Sequence, residues 1–148
     1  MSLISEIQSI IASLSPDSTF LLASKFRANV SAQFLEASEL PLIVLDNEIK
    51  GESSIQKNFN IIKKKKYVIW FLQKDTPDNT DVQTNTIQEA MELLADKTAL
   101  NIYRLEAVRL TGGNQKYNIQ PIFHAFSKDL SGVFLEINVE YNNVISCV

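Results

Sequence analysis

The chain has 148 residues, 45% of them apolar and 21% charged, with four glycines and four prolines. That length suits one domain burying roughly 68–70% of the surface its unfolded chain would expose. The apolar share excludes a wholly disordered chain, and the scarce Gly and Pro exclude collagen-like and low-complexity classes. Fourteen Lys+Arg against seventeen Asp+Glu leave a net charge of −3, which disfavours a protein that lives by a non-specific grip on nucleic acid.

The first expected element is a helix. Leu3, Ile4, Ile7, Ile10, Ile11 and Leu14 recur at spacings of three and four, with Ser2 as a cap and Pro16-Asp17 as the stop. Glu6 interrupts this apolar stretch and no basic segment precedes it, so a secretory leader is not expected. Thr19-Phe20-Leu21-Leu22-Ala23 is a short apolar strand. Residues 24–40 read as loop or strand, although Phe26, Val30 and Phe34 are spaced by four. Pro41-Leu42-Ile43-Val44-Leu45-Asp46 is a buried strand closed by the Asp46-Asn47 turn signal.

Residues 54–62 suit one arm of a hairpin, with Lys63 to Lys66 at or near its tip. The return arm, Tyr67-Val68-Ile69-Trp70-Phe71-Leu72, is apolar at both parities, so it is expected to be central and covered on both faces. It is also far too short to span a bilayer, and no membrane partner is expected. The polar stretch 74–86 leads into a second helix over 84–98. Ile87, Ala90, Met91, Leu94 and Ala95 form its stripe, with Thr84 or Thr86 as cap.

The last third reads as strands: 102–110, a turn at Thr111-Gly112-Gly113-Asn114, 117–126, and a bend at Leu130-Ser131-Gly132. Val133, Leu135, Ile137, Val139 and Tyr141 then alternate with Phe134, Glu136, Asn138 and Glu140, giving one dry and one mostly wet face. The expected fold is a single α+β domain over residues 1–148. A mostly antiparallel sheet is packed by an N-terminal and a central helix, and a short apolar C-terminal tail covers 142–148.

Candidate sites are few. Lys63, Lys64, Lys65 and Lys66 place four ammonium groups within roughly 13 Å of extended chain. They can touch a phosphate backbone, or they can be a solvated hairpin end that keeps a sheet edge from pairing. Cys147 is the single cysteine and His124 the single histidine, so one chain builds neither a disulfide framework nor a Cys/His zinc site. His124 reads as a structural strand residue and Cys147 as a spare thiol. Asp75, Asp78 and Asp81 lack the calcium-loop pattern and read as a solvated loop. Gly112-Gly113 lacks the context of a phosphate-cradling loop. Val144, Ile145 and Val148 end the chain in apolar residues that either fold back on the sheet or dock on a partner.

The element order resembles the tail-terminator, or tail-completion, proteins of bacteriophages. The likeness is carried by Pro41-Leu42-Ile43-Val44-Leu45 after the first helix, the strand at 67–72 and the helix near 84–98. It is carried above all by the ending, Pro121-Ile122-Phe123-His124-Ala125-Phe126-Ser127-Lys128-Asp129-Leu130-Ser131-Gly132-Val133 running into an alternating last strand. It covers most of the chain as pattern rather than identity. What it implies is a non-enzymatic virion protein, made in the host cytoplasm, that closes into a ring of six or twelve at the head–tail junction. Portal, connector or tail rings would be its neighbours, and double-stranded DNA would pass transiently through its lumen. No catalytic, cofactor or metal residues carry over. Lys63–Lys66 become candidates for lumen or inter-ring contact, and Val144, Ile145 and Val148 for a subunit interface. The polar loops at 74–86 and 112–118 become available to neighbouring rings. The rival is a small binding module that takes a peptide or ligand between the sheet and the second helix. A small enzyme is disfavoured because acid, base and nucleophile candidates do not cluster.

Overall fold

A computed structural model describes residues 3–22, 41–46, 49–75, 81–111, 116–125 and 130–143. The Leu3–Leu14 stripe forms helix α1, which buries Leu3, Ile7 and Ile11. Strands β1 (Thr19–Leu22), β2 (Leu42–Leu45), β3 (Lys50–Ile55) and β4 (Ile61–Lys74) follow, then helices α2 (Asp81–Tyr103) and α3 (Glu106–Thr111), and strands β5 (Tyr117–Ala125) and β6 (Leu130–Asn143). The strands form one six-stranded sheet in the order β1-β2-β4-β6-β5, with β3 also on β4. Only β1 and β2 run parallel, and every other pairing is antiparallel. The fold is α+β.

β2 and β3 share one edge of β4 end to end. Leu45 pairs with Ile69 and Lys50 with Lys66. The two short strands thus line the same edge of β4, β2 at one end and β3 at the other. The Asp46 amide donates to the Val68 carbonyl (2.9 Å). Along its other edge β4 pairs with β6 over its full length, from Ile61↔Asn143 to Lys74↔Leu130.

Strand parity divides the core. Odd positions, Ile43, Leu45, Tyr67, Ile69, Phe71, Val133, Leu135, Ile137 and Val139, meet Ile7, Ile11, Met91, Ala95, Ala99, Ile102 and Val108 from the three helices. Even positions, Leu42, Val44, Trp70 and Leu72, form a second buried cluster with Leu130 on the opposite face. β4 is therefore central and covered on both sides around 67–72, as its two-sided apolar pattern requires. The alternation of β6 likewise holds through its middle, with Val133, Leu135, Ile137 and Val139 buried, Tyr141 half-buried and Asn138 exposed.

Several expectations are corrected. The stretch 102–110 is not a strand: α2 continues to Tyr103, and α3 follows one turn later. Ile102 and Val108 are buried under the sheet and Leu105 is half-buried, a period of three that belongs to a helical face. Among the described residues there are three helices, where two were expected. α2 is longer than expected because Ala99 and Ile102 carry its buried face past residue 98; the Thr98 hydroxyl, buried on that face, satisfies itself on the Leu94 carbonyl (2.8 Å). Ala90 of the expected stripe is exposed. Leu130-Ser131-Gly132 is not a bend but the start of β6, paired with β4 and β5. The hairpin turn lies at 56–60, in the middle of the expected arm, so Lys63–Lys66 lie within β4 rather than at the tip. Ser2, Phe26, Val30, Phe34, Asp78, Gly112, Gly113 and the tail Val144, Ile145, Cys147 and Val148 fall outside the described residues.

Gly132 is where the ladder is tightest. A Cβ there would lie 2.0 Å from the Phe71 carbonyl oxygen, a backbone atom that cannot step aside. Gly132→Ala is expected to lower stability by about 3 kcal/mol or more, read as an earlier urea midpoint; an unchanged midpoint would show that β6 runs less close to β4.

Candidate functional site

Beyond the helix-covered part of the sheet, β3, β4 and the end of β6 continue as a three-stranded arm. Every residue of β3 is exposed. The arm's lysines are held in register by this ladder. Lys64 stands directly between Glu52 on β3 and Glu140 on β6, Lys66 pairs with Glu136 (3.3 Å), and the Lys63 ammonium donates to the Ser53 hydroxyl (2.8 Å). Opposite charges across a ladder favour pairing, and much of the local field is cancelled. Lys63 and Lys65 are half-buried, and Lys64 and Lys66 exposed. The four predicted lysines are thus brought together as a compensated strand, not as a free basic tip.

The tip itself is different. The Gln56 amide donates to the Asn60 carbonyl and the Phe59 amide to the Gln56 carbonyl (both 2.9 Å), closing a tight turn over 56–60. Phe59 has φ of 64° and is 87% exposed. A bulky side chain in this left-handed region costs on the order of 1–2 kcal/mol, where Gly or Asn would be relaxed. Neither turn geometry nor core packing accounts for a phenylalanine here. Ile55, just before the turn, is 72% exposed.

The base of the arm is anchored by a tyrosine pair. Tyr67 is buried under the helices, and its hydroxyl shares a hydrogen bond with Tyr141 of β6. Burial, and then Tyr141 beside it, push the Tyr67 phenol well above its ordinary 10.0.

A second surface lies on α2. Its outward face carries Val82 (74% exposed), Leu93 (56% exposed) and Leu100, together with Glu89, Glu92 and Asp96. Positions 82, 89, 93, 96 and 100 share one face at helical spacing, so apolar and acidic side chains alternate along it. Where α2 meets the edge strand β5, a groove of about 250 Å³ opens between Asn85, Gln88, Glu89 and Glu92 on the helix and Ile119, Pro121 and Val133 on the sheet. The Gln88 amide donates to the Ile122 carbonyl (3.2 Å) and closes one end. Tyr117 donates its hydroxyl to Asp96 (3.0 Å), a bond that raises the Tyr117 pKa. The groove is smaller than the about 300–1,000 Å³ of small-molecule sites; it suits a single side chain.

Asp75 is corrected from a solvated loop residue to a buried one. It follows β4, is fully buried, and accepts a hydrogen bond from the Thr84 hydroxyl (2.8 Å), fastening the end of β4 to the first turns of α2. Thr84 therefore caps nothing, and the Thr86 hydroxyl donates to the Val82 carbonyl within the helix. Asp81 is exposed at the start of α2. His124 falls on β5, its side chain outside the described set. Among the described residues no group of three or more His, Cys, Asp or Glu is placed to hold a metal ion, and no helix is long and apolar enough to cross a membrane.

No protein-family model matches the chain, and no curated protein matches it significantly. The arm and the α2 face rest on their own geometry. Sequence reading missed both: Phe59 and Ile55 sit in a polar stretch, and Val82, Leu93 and Leu100 lie off the buried stripe. Their signal was being apolar where the pattern calls for polar.

Two outcomes follow from these contacts. Thr84→Val should cost about 2 kcal/mol in urea unfolding, since it strips a donor from a buried carboxylate; a neutral result would mean that the bond is idle. With its pKa raised in the folded state, Tyr67 contributes stability that is fully present below pH 10.0 and is lost as pH rises above it. Tyr67→Phe should lose about 1 kcal/mol at neutral pH yet decline less steeply under alkaline titration. An unaltered alkaline slope would remove Tyr67 from that role.

Proposed function

We propose that this chain is a structural ring component of a bacteriophage virion, acting at the head–tail junction as a tail-terminator-like protein. The ring would hold six or twelve copies between portal, connector or tail rings, with double-stranded DNA passing through its lumen. The observation that carries this reading is the distribution of exposed apolar side chains. Among the described residues, Ile55 and Phe59 project on the arm, while Val82, Leu93, Leu100 and Tyr103 lie on α2. On each surface these side chains lie on one side, Ile55 and Phe59 about the turn and the α2 residues along one helix face, so each offers apolar side chains to a partner. Two separate surfaces of this kind on one chain are what a head-to-tail assembly needs, because each copy must offer both halves of the junction.

The charge pattern supports the same reading. A lumen that lets DNA slide must not hold phosphates tightly. Lys63, Lys64 and Lys66 are engaged or faced by Ser53, Glu52, Glu140 and Glu136 within the arm, which leaves little of the run for a phosphate backbone. Among the described residues no acid, base and nucleophile are brought together. A binding module using the α2–β5 groove is the second reading, favoured only by that groove and limited by its single-side-chain size.

Native mass measured across a range of concentrations, with negative-stain images of the same samples, is the test. Closed rings of six or twelve are expected. A chain that stays monomeric throughout removes intrinsic assembly and leaves the binding module in its place.

A further inference from the structure

The arm and the α2 face differ in sign as well as in place. The arm, residues 50–66 with 138–143, holds six lysines against Glu52 and Glu140, which leaves eight basic and fifteen acidic residues for the rest of the chain. Within the arm Lys64 is faced by Glu52 and Glu140 and Lys66 is paired with Glu136, but Lys57 stands in the turn beside Phe59, where no carboxylate pairs with it in the ladder. The tip therefore presents one aromatic ring and one ammonium group. The α2–β5 groove offers the converse: an apolar floor of Ile119, Pro121 and Val133 beneath a rim carrying Glu89 and Glu92.

We propose that the tip of the arm in one copy, through Phe59 and Lys57, docks in the α2–β5 groove of a second copy of this chain. Phe59 fills the groove and Lys57 meets the Glu89 and Glu92 carboxylates. The contact cannot be made within one chain. Val133, on the groove floor, pairs with Phe71, ten residues along β4 from Ile61, where the strand leaves the turn. At about 3.3 Å per residue the groove and the tip stand roughly 33 Å apart at opposite ends of the ladder. Tip and groove do not overlap, so the junction is heterologous and can repeat.

Several features converge on this occupant. The groove volume fits one aromatic side chain. The residue that would enter it is the one held in a left-handed conformation, so its side chain is kept at a cost to the turn. Buried aromatics at the centre of an interface, ringed by polar contacts, carry most of the binding energy in protein–protein docking. The charges at the rim add register and orientation.

This contact rests on the ring reading and names its junction. The test uses two full-length variants, Lys57→Glu/Phe59→Gly with a disabled arm and Glu89→Lys/Glu92→Lys with a disabled groove. Each alone should need a concentration about 30-fold higher, or more, to assemble than the wild type. Mixed in equal amounts, with Glu89→Gln/Glu92→Gln as the groove variant so that its rim does not attract the reversed charge at 57, the intact arm of the groove variant meets the intact groove of the arm variant, and a 1:1 dimer should form and grow no further. Thermal melts establish that both variants are folded; glycine at position 59 relieves the turn, and Glu89→Gln/Glu92→Gln replaces the lysine pair should that fail to fold. Rings formed by either variant at wild-type concentrations would overturn this junction and leave the ring standing. A folded mixture that stays monomeric would do the same. A wild-type chain monomeric at every concentration would overturn the junction and the ring together.

Discussion

The pairing of β4 with β6 is the constraint on which the rest of the molecule depends. Fourteen residues of each strand run side by side, well beyond the five or six of an ordinary strand. Such a length exceeds what three helices of this size cover. The helix-facing cluster extends along the ladder from Phe71 and Val133 to Tyr67, Ile137 and Val139, and what continues past it becomes the arm. At one end the two strands approach so closely that only glycine fits at position 132, opposite Leu72 and against the Phe71 carbonyl. At the base of the arm the Tyr67–Tyr141 pair ties them together on the helix side. A packed domain and a projecting ribbon thus follow from one ladder, and the position of the helices decides where one becomes the other.

Much of this was legible where hydrophobic period and burial coincide. β2 is four apolar residues, all of them buried; the middle of β4 is apolar at both parities and has a cluster on each face; β6 alternates and is buried on alternate positions. Elsewhere the pattern was silent or misleading for identifiable reasons. Lysines at consecutive positions have no parity, so nothing in Lys63–Lys66 separated a turn from a strand, and the ladder's carboxylates come from distant β3 and β6. Ile102, Val108 and Leu110 share a parity that a short window reads as a strand, whereas the residues that folding covers, Ile102, Leu105 and Val108, recur at three. Asp75 looked solvated because its partner, Thr84, arrives only with the fold of α2.

The candidate site was the least legible part, and the physical reason is general. Pattern reading rewards apolar residues that fit a buried face, and Phe59, Ile55, Val82 and Leu93 fit none. They are informative because folding leaves them outside. Exposure alone says only that something binds; the sign of the charge around each patch separates them. The arm is basic, its lysines outnumbering Glu52 and Glu140, and it carries Lys57 at the tip, whereas α2 sets Glu89, Glu92 and Asp96 among its exposed apolar residues. The outer edge of β3 is blunted in the usual way, by a short strand flanked with Lys50 and Lys57 and interrupted by Gly51, so edge-to-edge pairing is discouraged while the tip is left presented.

For an assembly built from such a junction, closure depends on the angle between the two surfaces, not on their affinity. A repeated heterologous contact closes into a ring only if its rotation divides a full turn; otherwise it grows into a filament. In this chain that angle is set by the ladder. β4 is paired on both edges along the arm, so the tip is aimed by the right-handed twist accumulated between the groove end and the turn, rather than by a free loop. On the proposed assembly, copy number is therefore a property of the backbone of β4 and β6, and side chains at the tip decide only whether the junction forms.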